Sequence, residues 1–127
     1  MVNLSQLHQY NQPRFSFTLQ QGPESLVTSA KQALDSYAAP IDGLQMALLT
    51  TPDGFEIASL RNRSDLQVNR LAAMASSLMA MGRAVGREIQ VSHCNRLTFE
   101  AEGNVVVFQA IGGDFPCILC LVLRPGA

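Results

Sequence analysis

With 127 residues, 47% of them hydrophobic and 15% charged, the chain has the size and composition of one globular domain. Such a domain buries roughly two-thirds of its unfolded surface without help from disulfides or metal. A formal net charge of −1 argues against a nucleic-acid partner, which requires a basic face.

The three cysteines, Cys94, Cys117 and Cys120, lie in a chain whose first twenty residues are polar and glutamine-rich, so no secretory signal is expected. No apolar run reaches the length of a membrane span. The expectation is a reduced, cytoplasmic protein that does not insert into membranes.

Residues 1–22 read as an N-terminal arm. Phe15-Ser16-Phe17-Thr18-Leu19 alternates as a half-buried strand does, and a disordered tail is the competing reading. From Pro23, whose fixed φ suits a first helical turn, Leu26, Val27, Ala30, Ala33, Leu34 and Tyr37 recur at helical spacing until Pro40 ends the helix. Leu44 to Thr50 and Phe55 to Leu60 read as a hairpin about the turn Thr51-Pro52-Asp53-Gly54.

Ser64-Asp65-Leu66-Gln67 has the capping-box pattern and announces a long helix to about Gln90. Its main apolar stripe is read as Leu71, Ala75, Leu78, Gly82, Val85 and Ile89, with Met74 and Met81 widening it on one side and Met79 on the other. Three strands follow: Arg96 to Glu102, Val105 to Ile111 and Cys117 to Leu123. The last two are apolar on both faces, so they belong mid-sheet with a helix on each side. The first carries Arg96, Thr98, Glu100 and Glu102 on one face and suits an edge. The fold class is therefore α/β of the α+β kind, in the order α-β-β-α-β-β-β. The strand-to-strand links are tight and the sheet mainly antiparallel. Residues 23–123 form one domain and 124–127 a short tail.

Few residues suggest chemistry. Cys117-Ile118-Leu119-Cys120 spells CxxC, but in a strand, positions three apart face opposite ways, so the pair reads as two small buried hydrophobes. Neither Cys94 beside His93 nor any other cluster gives a metal site. No nucleotide-binding pattern occurs, and His8 and His93 have no nucleophile arranged around them. No enzyme, metal or cofactor is expected. Arg61, Arg63 and Arg70 are read as a solvated corner rather than a basic site. More telling is the back of the long helix, where Ala73, Ser77, Ala80 and Ala84 form a strip of small residues that lets a second helix approach. Arg83 and Arg87 stand beside it one turn apart.

Taken together, Gly43-Leu44-Gln45-Met46-Ala47-Leu48-Leu49, the turn Pro52-Asp53-Gly54, the strand ending Ala58-Ser59, the run Arg70-Leu71-Ala72-Ala73-Met74-Ala75-Ser76-Ser77-Leu78 and the closing apolar strands resemble the roadblock/dynein light chain family. The resemblance runs from about Gly43 to Leu123. It implies a profilin-like fold, a five-stranded antiparallel sheet between helices, and a homodimer in which edge strands and long helices pair. On this sequence those contacts map to Arg96, Thr98 and Glu100 and to the strip Ala73, Ser77, Ala80 and Ala84.

The resemblance further implies binding to small Ras-like GTPases, as bacterial relatives do in motility and polarity, with Arg83 and Arg87 as contacts to that partner. A structural scaffold or light-chain-like subunit is the alternative. A small-molecule sensor of PAS or GAF outline, with a pocket at Met74, Phe108 and Cys117, is the third reading. Many relatives carry one more C-terminal helix. Here Phe15, Phe17 and Leu19 are expected to cover the sheet face it would occupy.

Overall fold

The computed structural model describes residues 23–125. Helix α1 (Pro23–Ala33) runs into one π-helical turn, Leu34–Ala38, in which the N–H of Ala39 reaches back to the carbonyl of Leu34 at 3.0 Å. Pro40 follows directly and the chain turns into β1 (Leu44–Thr50) and β2 (Glu56–Arg61). Helix α2 (Val68–Glu88) leads to β3 (Arg96–Ala101), β4 (Asn104–Ile111) and β5 (Cys117–Leu123). The five strands form one sheet in the order β2-β1-β5-β4-β3, and every neighbouring pair is antiparallel. The element order and the strand bounds expected from the sequence hold to within about a residue. The two continuous apolar strands are central, and β3 is an edge.

The helices take opposite faces of the sheet. On one face, Leu26, Ala30 and Leu34, at four-residue spacing, and Ala38 in the π turn pack with Leu44, Leu49, Leu119 and Leu121. On the other, α2 sets Ala72, Ala75 and Met79 against Met46, Leu48, Phe108, Ile118 and Cys120. A register shift in the β1–β5 pairing between Leu44 and Met46 reverses the alternation there. Leu44 therefore shares a face with Ala47 and Leu49 although it lies two residues from Met46.

Two expectations about α2 are corrected. The buried stripe is Ala72, Ala75, Met79, Gly82 and Gly86, rotated from the one read off the sequence. Leu71 and Leu78 are half-buried, while Val85 and Ile89 are exposed. Small residues win the core because the helix lies low. A Cβ on Gly82 would come within 2.6 Å of Cys94 Sγ and 3.2 Å of Leu97 Cδ1. The capping box also fails to form. The helix begins at Val68 after Gln67, which makes no side-chain cap bond, and Asp65 instead pairs with Arg63 at 2.7 Å.

The face shared with α1 extends past that helix. Val105, Val107 and Ile111 on β4 are buried, whereas α1 packs mainly on β2 and the π turn on β1 and β2. The expected cover by Phe15, Phe17 and Leu19 lies outside the described residues. We propose that residues 1–22 supply it, since apolar groups on a sheet face stay dry only beneath a second layer. Deleting residues 1–20 should then lower the melting temperature by several degrees, about 4–8 °C per kcal/mol lost in a domain near this size, and raise binding of a hydrophobic dye. Unchanged values would rule the cover out.

Candidate interaction surface

Along α2, the residues that the rotation leaves outside the core include Met74, Met81, Val85 and Ile89, each more than half exposed. Half-buried Leu78 completes a seam with spacings of four, three and four residues from Met74 to Val85, the pattern of a helix that packs against another helix. The seam lies on the β3 side of α2, because the helix touches Cys94 and Leu97 there through Gly82. Its neighbour on β3 is Phe99, 59% exposed. Phe99 sits opposite Val106, as Leu97 sits opposite Phe108, and Leu97, Val106 and Phe108 all belong to the α2-side core. Scattered exposed hydrophobics are normal on a monomer, but a contiguous row of this kind marks a contact surface.

The two sheet edges differ. On β2, Lys31 from α1 donates to the carbonyl of Ser59 at 2.7 Å, and Arg61 reaches the carbonyl of Leu66 at 3.2 Å. This edge is partly satisfied and carries charge, which discourages strand addition. On β3, Arg96 donates through Nε to Gln109 within its own sheet, and Thr98, Phe99, Glu100 and Ala101 are exposed. The loop bond from Ala110 N–H to the Asn95 carbonyl, 2.8 Å, fixes the phase of the β3–β4 ladder. Alternate residues Leu97, Phe99 and Ala101 turn their backbone groups to β4, and Arg96, Thr98 and Glu100 turn theirs outward.

The residues singled out in the sequence divide between two sides of α2. Ala73, Ser77, Ala80 and Ala84 are exposed on the side away from the sheet, beside the Met74–Met81–Val85 seam rather than on it. The sequence pattern missed that seam because its large residues looked like core. The signal that identifies it is the pair Gly82 and Gly86, whose missing side chains mark where the helix meets the rest of the fold. Arg83 and Arg87 are exposed and form no ion pair among the described residues.

At the strand ends beneath the second half of α2 lies a cleft of about 250 Å³, walled by Pro52, Met79, Arg83, His93, Asn95 and Cys117 among others. The residues suggested for a sensor pocket do not meet in it: Met74 is exposed on α2, Phe108 lies in the α2-side core, and only Cys117 reaches the cleft wall. Cys117 belongs to the α1-side core and Cys120 to the α2-side core, so the CxxC thiols diverge as strand geometry requires. Burial pushes both up to about 12. Arg63 and Asp65, both solvent-exposed, hold each other charged. Their hydrogen bond raises the guanidinium's pKa and lowers the carboxyl's. Among the described residues no three His, Cys, Asp or Glu side chains cluster as a metal site, and no helix is long and apolar enough to cross a membrane.

A Roadblock/LC7 domain model matches residues 30–121, nearly the whole span from the middle of α1 to β5. The chain belongs to the Roadblock/LC7 family. Its fold is similar to that of Myxococcus xanthus MglB, with a TM-score of 0.56 and 15% identity over 63% of each chain, so this chain spans less than two-thirds of that one. It is similar to an MglB with a tetrameric arrangement, TM-score 0.63 and 19% identity over 85% of this chain and 77% of that one. It is also similar to the gliding protein MglB of Thermus thermophilus, TM-score 0.62 and 18% identity over 86% and 78%. A search among curated proteins finds no match.

At pH 8 a thiol with a pKa near 12 is ionised in roughly one molecule in ten thousand. Alkylation of the folded roadblock domain at that pH should therefore spare Cys117 and Cys120 and label Cys94 first. Mass spectrometry of the labelled peptides checks this, with all three expected to react once the chain is unfolded.

Proposed function

We propose that this roadblock protein is a non-catalytic homodimer that serves as regulator or adaptor for a small Ras-like GTPase in the cytoplasm. The observation that supports the dimer is the exposed Met74–Leu78–Met81–Val85 seam lying beside the β3 edge of the sheet. A second copy, related by a two-fold axis, covers both at once: β3 pairs with β3, and α2 lies beside α2. Ala73, Ser77, Ala80 and Ala84 then border the paired helices, where their small side chains leave room for close approach.

The GTPase reading draws on the family resemblance. The similar solved structures include a gliding protein and an MglB in a tetrameric arrangement, which accords with work through protein partners. Arg83 and Arg87 stand on the side of α2 away from the seam, so they remain open to a third chain after dimerisation. An arginine suits a partner that carries carboxylates or nucleotide phosphates, because its fork of donors matches their oxygens.

Two substitutions separate these parts. Met81→Asp buries an unpaired carboxylate in the seam, at a cost of several kcal/mol. It should raise the dimer dissociation constant by about a hundredfold or more, with the far-UV spectrum unchanged; native mass spectrometry at low micromolar concentration reads the outcome, and a persistent dimer removes the seam from the interface. Arg83→Ala with Arg87→Ala should leave the dimer intact and weaken GTPase binding by roughly 10–100-fold, the range for losing exposed-to-central charged contacts. Retained affinity excludes the two arginines. Comparing GDP- and GTP-loaded partners decides between regulator and scaffold, since a scaffold binds both alike.

A further inference from the structure

The cleft of about 250 Å³ beneath the second half of α2 has two kinds of wall. Its floor is apolar, formed by Met79, Ile111, Cys117 and Ile118, all of them buried. Its rim carries three exposed polar side chains, Arg83, His93 and Asn95. Among the described residues, none of these three side chains forms an ion pair or a hydrogen bond. No aspartate or glutamate lines the cleft there either, so Arg83 gives it an uncompensated positive charge. An apolar concavity with a few unpaired polar groups at its mouth is the usual form of a small-molecule site. We propose that this cleft binds a small organic monocarboxylate with an apolar aryl or branched aliphatic body. The carboxylate sits on Arg83, with His93 and Asn95 as further donors, and the body covers the apolar floor.

The placement of these groups supports that chemistry. Met79 and Arg83 are four residues apart and share one face of α2, so the cation stands one turn beyond the buried thioether. A guanidinium offers a planar fork of donors that matches the two oxygens of a carboxylate. One cation matches a monoanion in charge. At about 30 Å³ for each water-sized group, the space holds a ligand of roughly eight to ten non-hydrogen atoms. The rim is also fixed before any ligand arrives. The loop bearing His93 and Asn95 is tied at one end by the Val91 N–H to the Gly86 carbonyl and at the other by the Ala110 N–H to the Asn95 carbonyl, each at 2.8 Å. Pro52, on the opposite wall, is held to α2 by the hydroxyl of Ser76, which donates to its carbonyl at 2.8 Å. Binding to a site already in shape loses little to ordering.

The test uses the purified full chain with no GTPase present, so its outcome is independent of the partner reading. Phenylacetate and isovalerate are titrated in a calorimeter, beside acetate, which lacks the body, and 2-phenylethanol, which lacks the charge. At least one of the two acids should bind with a dissociation constant below about 1 mM, and the two controls about tenfold more weakly. Saturation with the acid should slow alkylation of Cys94, which lies on the cleft wall. Arg83→Ala, at an exposed helical position that alanine suits, should weaken binding about tenfold by removing a charge-assisted hydrogen bond. Arg87→Ala, one turn further along α2 and outside the cleft, should leave affinity unchanged. Failure of both acids to bind at millimolar concentration overturns the site. So does binding that leaves Cys94 alkylation unaltered, acetate binding as tightly as the larger acids, or equal losses in the two arginine variants, since each of these means diffuse attraction of anions rather than occupancy of the cleft.

Discussion

All seven residues of β5, Cys117–Leu123, are buried, and the strand lies between β1 and β4 at the middle of the sheet. Its side chains project alternately to both faces, so neither face can meet water. This constraint demands a layer on each side and dictates the rest of the architecture. α1 and the π turn answer it on the β1–β2 half of one face, and α2 answers it on the other. The antiparallel neighbours follow from the short turns at 51–55, 102–103 and 112–116, which allow no crossover between consecutive strands.

The second constraint is how closely α2 must lie. A helix that meets the sheet through Ala72, Ala75, Gly82 and Gly86 sits low, with Met79 the only large residue on the buried line. Close approach gains contact with the strand side chains and with Cys94 and Leu97, and it moves the helix's large residues to the flank. Size and apolarity usually travel together, which is why Val85 and Ile89 look like core in the sequence. Here the close-packed line is made of the smallest residues, and the larger ones are left for another surface. The helix thus serves three environments: small residues toward the sheet, a Met–Leu–Met–Val seam toward the open edge, and Ala, Ser and Arg toward the outside.

Much of the architecture is legible in the sequence for plain reasons. Strict alternation in Arg96 to Glu102 gives away an edge strand, and unbroken apolarity in Cys117 to Leu123 gives away a central one. Pro52, Gly54 and Pro40 punctuate where their backbone preferences require. Gly54 has φ of 96°, and a Cβ there would meet the α2 backbone at 3.3 Å, so only glycine occupies the position without strain. The CxxC is readable because strand geometry alone separates its thiols. What the sequence hides is rotational. Helical periodicity shows that a helix has an apolar side but not which of two overlapping apolar sides faces inward. The cap is hidden for a related reason: Ser64 and Gln67 match the motif, but Arg63 engages Asp65 with two short bonds, 2.7 and 2.8 Å, and the turn closes on that pair instead.

The edge strands show how one fold both avoids and invites association. An open sheet always has two edges, and each is a template for another strand. On β2 the outward carbonyl of Ser59 is taken by Lys31, the only lysine in the chain, and the charged residues Glu56 and Arg61 stand at the two ends of the strand. On β3, Thr98, Phe99, Glu100 and Ala101 are exposed, and the exposed seam of α2 lies beside them. Backbone pairing alone is promiscuous, and an apolar seam alone is indifferent to register. Joined on one rigid strand–helix unit, each limits the geometries open to the other.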